Sequence, residues 1–127
     1  MQNHARTACT LCRRNSPSSK WRSLVGGVKQ AILPTKGPAT ARLLHIKAGR
    51  SVTEHGHGGM ELTVVLQGAY HIGDNCYSRG DLEIATLETE HQPVAAEGND
   101  CICLAATDAA LKFNGIVPKL LQPLMRI

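Results

Sequence analysis

At 127 residues, with 43% hydrophobic and only 3% aromatic side chains, the chain is sized for one domain that can bury a core without staples. No apolar run approaches the roughly 18 residues of a membrane span and there is no secretory h-region, so a helical membrane protein is excluded and a cytoplasmic location is expected. The net charge of +4 is uneven: residues 1–22 hold Arg6, Arg13, Arg14, Lys20 and Arg22 with no acid, and the remainder holds nine bases against ten acids.

Residues 1–20 lack periodicity and close on Asn15-Ser16-Pro17-Ser18-Ser19, so they are expected to form a basic flexible segment ahead of one folded domain over 21–127. A basic head on a near-neutral body carries the charge to touch nucleic acid, an acidic partner or a membrane surface. The expected reading is a solvated head, with neither nucleic acid nor membrane as a partner. Five cysteines cannot all pair internally, and without a secretion signal they are expected to be free thiols or metal ligands.

From Trp21 onward, short β-like runs alternate with turn signals every eight to twelve residues. The runs are Val28–Leu33, Thr40–Lys47, Glu61–Gln67, Ala69–Ile72, Asp81–Ala85, Gln92–Ala96, Cys101–Ala106 and Leu111–Asn114. Gly73-Asp74-Asn75 is expected to turn a hairpin. Ala105–Leu111 and Pro118–Met125 have some helical spacing, although Pro118 and Pro123 oppose a long final helix. The pattern predicts an all-β fold, a small antiparallel sandwich or barrel.

Within this frame His55-Gly56-His57, Glu61 and His91 are the candidate metal ligands. Two histidines two residues apart leave the same face of a strand, whereas a helix would set them about 200° apart. Neutral imidazoles and a carboxylate suit a borderline divalent metal. Zinc can close the four-ligand set as a tetrahedron; iron, manganese, nickel or copper would keep positions open for water, dioxygen or a chelating substrate. His45 and His71 lack such company and read as surface or outer-sphere groups. Cys101-Ile102-Cys103 lies on a predicted strand with both thiols on one face, Cα atoms about 6.8 Å apart, the far edge of disulfide geometry unless the strand bulges. Facing inward, the pair would be two small buried hydrophobes or, beside a metal, oxidisable thiols.

The spacing from Gly49 through His55, His57 and Glu61 to Gly68 resembles the first motif of the cupin superfamily, and Gly80 with His91 resembles the second. The second motif departs from the family at Thr86, Glu88 and Ala95, where a proline, a glycine and an asparagine are usual. This resemblance implies a small antiparallel jelly-roll barrel. More narrowly, residues 41–127 are similar to the C-terminal cupin-like domain of the ChrR anti-sigma factors. The stretches that carry the likeness are His55–Gly68, Tyr77–Leu82, His91–Ala95, Cys101–Ala105 and Leu120–Leu124. The likeness implies zinc held by His55, His57, Glu61 and His91, redox-relevant thiols at Cys101 and Cys103, and a sigma factor or other regulatory protein as partner. Such regulators also carry an N-terminal helical zinc domain with a His-x-x-x-Cys-x-x-Cys motif. Here His4 stands five residues before Cys9, with Cys12 following, and too few residues separate this segment from the barrel for that domain to be expected between them.

Two functions follow as expectations. The first is a non-enzymatic metal-binding sensor of oxidative or small-molecule signals, acting through a partner in transcription regulation. The second is a cupin dioxygenase in which the ion takes a small chelating substrate and then dioxygen, with Glu61 able to act as a base. An open sheet edge further predicts a homodimer.

Overall fold

The computed structural model describes residues 21–52, 55–57, 59–86, 88–108 and 111–113, with backbone only for 55–57 and 111–113. Eleven strands and no helix occur among these residues: β1 (Arg22–Ser23), β2 (Val28–Leu33), β3 (Thr40–Ile46), β4 (His55–His57), β5 (Glu61–Gln67), β6 (Ala69–Ile72), β7 (Asn75–Ser78), β8 (Leu82–Ala85), β9 (Val94–Ala95), β10 (Cys101–Thr107) and β11 (Leu111–Phe113). No helix among them is long and apolar enough to cross a membrane. The segment 1–20, with His4, Cys9 and Cys12, and the Pro118–Met125 stretch lie outside the described residues.

All pairings are antiparallel. A six-stranded sheet runs β1-β2-β3-β10-β5-β8, a three-stranded sheet β7-β6-β9, and β4 pairs with β11. Val28, Ile46, Val65, Cys101 and Cys103 of the large sheet pack with Tyr70 and Ala95 of the three-stranded one, so the core lies between the two. This is the expected jelly-roll arrangement. The helical spacing over Ala105–Leu111 does not give a helix: Ala105–Thr107 continue β10 and Leu111 opens β11. Strand alternation wins because β10 is paired on both sides, to β3 and β5, and buries every second residue.

Two turns show local chemistry at work. Ile72 pairs with Asn75 across Gly73-Asp74, with Gly73 at φ +57°, the left-handed backbone a two-residue hairpin needs. Before His91, Thr89 N–H donates to Thr86 O (3.0 Å) and Thr86 N–H donates to Thr89 Oγ1 (3.1 Å). Threonine hydrogen bonds thus close the loop that lacks the usual proline and glycine.

Gly68 ends β5 at φ +70°, and a Cβ there would lie 2.6 Å from the carbonyl oxygen of Asp100, a backbone atom with little freedom to yield. Gly68→Ala combines left-handed strain with that clash, and a loss of about 2–3 kcal/mol is expected in urea unfolding. A midpoint unchanged from the parent would contradict the close approach.

Candidate metal centre

The register of the large sheet stacks its inward residues in rungs. The first is Thr40, Thr107, Glu61 and Ala85; the second Ile32, Arg42, Ala105, Thr63 and Glu83; the third Gln30, Leu44, Cys103 and Val65; the fourth Val28, Ile46 and Cys101. Charged and hydroxyl side chains fill the first two rungs and apolar ones the last. One end of the interior is therefore polar, and buried polar groups persist only where they find partners.

Glu61, at the start of β5, is buried, and Thr63 Oγ1 donates to its Oε1 at 3.5 Å. The β5 start is pinned by Met60 N–H donating to Asp108 Oδ1 (2.8 Å). Arg42 is 4% exposed; its Nη1 donates to Gln30 Oε1 (3.4 Å) and its Nη2 to Thr40 Oγ1 (3.0 Å). Burial draws the Arg42 guanidinium below its ordinary value, and the charge of Glu61 opposes that shift. Glu61 is its counter-charge across the rungs.

His91, 4% exposed, lies between β8 and β9 with Nδ1 2.7 Å from Glu83 Oε1. The other oxygen of Glu83 accepts from the Tyr70 hydroxyl at 2.5 Å. Burial, then the bond to Glu83, raises Tyr70 far above the usual phenol range, so it stays a protonated donor. A carboxylate at Nδ1 fixes the tautomer: Nδ1 carries the proton and Nε2 the lone pair.

His55 and His57 occupy β4, opposite Phe113 and Leu111, with Gly56 between them opposite Lys112. Alternation puts these two positions on one face of the strand, as predicted; their side chains lie outside the described residues. No three His, Cys, Asp or Glu side chains gather into a metal-holding group among the described residues. Glu61 and His91 are the two candidate ligands whose side chains are described, and by themselves they do not make such a group. The donor set fits a divalent cation. Among the described residues the polar end buries two carboxylates, Glu61 and Glu83, against the Arg42 guanidinium, and His91 turns Nδ1 to Glu83, which leaves Nε2 on the other side of the ring.

Cys101 and Cys103 both point inward and are free thiols, as is the exposed Cys76. Cys103 S–H donates to Cys101, which lowers Cys101 against the opposing effect of burial. The same bond raises Cys103, and burial and then the charges of Cys101, Glu61 and Glu83 raise it further. Cys101 is therefore the more readily ionised sulfur. The register shift at Ile102/Cys103 puts the extra residue, Leu66, in β5, so β10 itself stays regular between the cysteines. His45 Nε2 meets Asp100 Oδ2 at 3.0 Å, away from the rungs, and His71 is exposed.

Glu83, Tyr70 and Arg42 were not among the residues singled out from the sequence. Alternation puts Glu83 on the face of Ala85, but only the pairing of Ala85 with Glu61 shows that this face is the inner one.

The family described as the ChrR Cupin-like domain matches residues 13–110. The Anti-sigma-E factor ChrR of Cereibacter sphaeroides is 60% identical over 108 residues, covering 85% of this chain and 51% of the relative. The chain thus spans about half the length of that curated relative. The crystal structure of Rhodobacter sphaeroides SigE in complex with the anti-sigma ChrR aligns with a TM-score of 0.68 and 46% identity, covering 85% of this chain and 68% of that one. An RmlC-like cupin from Ralstonia eutropha JMP134 aligns at 0.67 with 23% identity, over 76% and 68% of the two chains, which speaks for the fold alone. On the extent of the family match and the identity with ChrR, the chain belongs to the ChrR cupin-like domain family.

Proposed function

We propose that the chain is a zinc-binding sensor module of the ChrR type, acting in the cytoplasm on a sigma factor or another regulatory protein in response to oxidative or small-molecule signals. The supporting observation is that Cys103 lies in the electrostatic reach of both Glu61 and Glu83, so the thiol pair shares one buried interior with the candidate ligand Glu61 and with the partner of His91. In this reading His55, His57, Glu61 and His91 hold the ion, which ties β4, β5 and the β8–β9 connection together. Peroxide transfers one oxygen to the Cys101 thiolate as its O–O bond breaks, and an alcohol or water leaves. The enlarged, polar sulfur then disturbs the interior that a partner would read. The identity with ChrR supports a sigma factor as that partner.

Metal content and coordination number of the purified protein test this reading. One four-coordinate zinc per chain is expected; a five- or six-coordinate transition metal carrying water would favour the dioxygenase instead. Cys101→Ser should keep the metal and lose most peroxide-dependent oxidation of the buried pair, followed by mass spectrometry of the peptide holding residues 101–103 so that the exposed Cys76 does not enter, and kinetics there equal to the parent would remove the redox element.

A second copy is proposed to cover the outer face of β5 and β8. Met60, Leu62, Leu66, Leu82 and Ile84 are exposed there, and β8 is an edge of the six-stranded sheet among the described residues. These side chains would form the apolar centre of a standard interface of about 800 Å² per partner. Sedimentation as a dimer at micromolar concentration is expected, and a monomer would contradict it.

A further inference from the structure

Glu83 joins His91 to both sheets. It projects inward from β8 in the large sheet, and its Oε2 accepts from Tyr70 on β6 of the three-stranded sheet. Its Oε1 faces His91 Nδ1 at 2.7 Å. The far end of the chain is itself held, because the Tyr70 ring stacks on Tyr77 with centroids 5.2 Å apart and planes at 23°. A carboxylate accepting at both oxygens has little freedom to turn, and the ring hydrogen-bonded to it inherits that restraint.

We propose that Glu83, braced by Tyr70, is the positioning residue that holds His91 in the one ring orientation and tautomer that present Nε2 to a metal. The proposal rests on the metal reading given above and adds two residues to it, neither of which touches the ion. The chemistry is specific. An imidazole binds a metal through a lone pair, and a proton on Nδ1 leaves that lone pair on Nε2. A carboxylate at Nδ1 also makes the ring more basic, and outer groups of this kind are commonly worth 10- to 100-fold in metal affinity. The trio explains why β8 turns its acid inward while Leu82 and Ile84 face outward. A mere polar staple between the sheets would need no imidazole at its end.

The experiment uses the full chain and two readouts. Long-range ¹H–¹⁵N spectra of the histidine side chains report the His91 tautomer in metal-free protein, and competition with a chromophoric chelator reports zinc affinity. In the parent, His91 is expected as the Nδ1–H tautomer. Glu83→Ala should mix the tautomers and weaken zinc binding 10- to 100-fold. Glu83→Gln, whose amide oxygen can still accept from Nδ1, should keep the tautomer and recover much of that loss. Tyr70→Phe frees Oε2 and should weaken zinc binding about threefold to tenfold, which decides the matter if Glu83→Ala does not fold. Parent tautomer and affinity in Glu83→Ala, or in Tyr70→Phe should it be the only folded variant, would overturn the proposal. Equal losses in Glu83→Gln and Glu83→Ala with the tautomer unchanged would also overturn it, since charge alone would then act. If instead the parent takes up no zinc, or His57→Ala binds it as well as the parent, the metal reading fails. The tautomer spectra, which need no metal, then still decide whether Glu83 orients His91.

Discussion

His57→Ala is expected to lose most of its bound zinc, with affinity falling on the order of 10²-fold or more. Structural zinc sites bind with roughly 10–16 kcal/mol shared over four ligands, so one ligand stands for about 3 kcal/mol, and 1.4 kcal/mol is tenfold. Position 57 is matched to Leu111 in the β4–β11 pair, two residues from His55, which itself opposes Phe113. Removing one imidazole of a same-face pair leaves the other to bind without its neighbour, so the loss should not be made good locally. Metal content after dialysis against a chelator measures it, with the exposed His71→Ala on β6 as the control that should change nothing. Metal retained in full by His57→Ala would count against the ligand assignment.

Arg42→Met should destabilise the metal-free protein by about 3 kcal/mol and the zinc-loaded protein by clearly less. Arg42 is buried, it donates hydrogen bonds to the neutral oxygens of Gln30 and Thr40, and the opposing charge it feels is that of Glu61. Taking away one member of a buried pair strands the other, which commonly costs about 3–5 kcal/mol. Zinc on Glu61 would supply the missing positive charge, so the metal should rescue the variant. Urea unfolding with and without zinc checks both halves of the statement. Equal losses in the two states would separate Arg42 from the site, and Arg42→Met/Glu61→Gln should recover much of the metal-free loss.

What the sequence made legible follows from how local each signal is. The runs 28–33, 61–67 and 69–72 are strands at the predicted bounds, because short β-branched runs between turn residues leave few alternatives. His55, His57, Glu61 and His91 could be named from spacing, since a motif fixes the order of residues before any fold is known. Glu83 could not. In Leu82-Glu83-Ile84-Ala85 alternation separates two faces but does not say which is inside, and apolar content points to the wrong one: Leu82 and Ile84 are 50% and 58% exposed while Glu83 is buried. Arg42 and Tyr70 were hidden for a related reason, because a buried polar side chain is recognised by its partner and partners are set by register across strands. The Ala105–Leu111 stretch misled through its alanines, whose helix propensity yields when a strand is paired on both edges.

Cys101 and Cys103 are 0% and 2% exposed. An oxidant in solvent meets neither sulfur until the β10 region breathes, so under the redox reading proposed above the frequency of that opening would set a ceiling on how fast the module answers. Below the ceiling, reaction grows with peroxide concentration; above it, the rate levels off and reports only the motion. Mild denaturant or warming, which chemistry at an exposed thiol would register weakly, should then quicken the response steeply. The packing that protects these sulfurs from stray oxidation would thus also act as the timer of the signal.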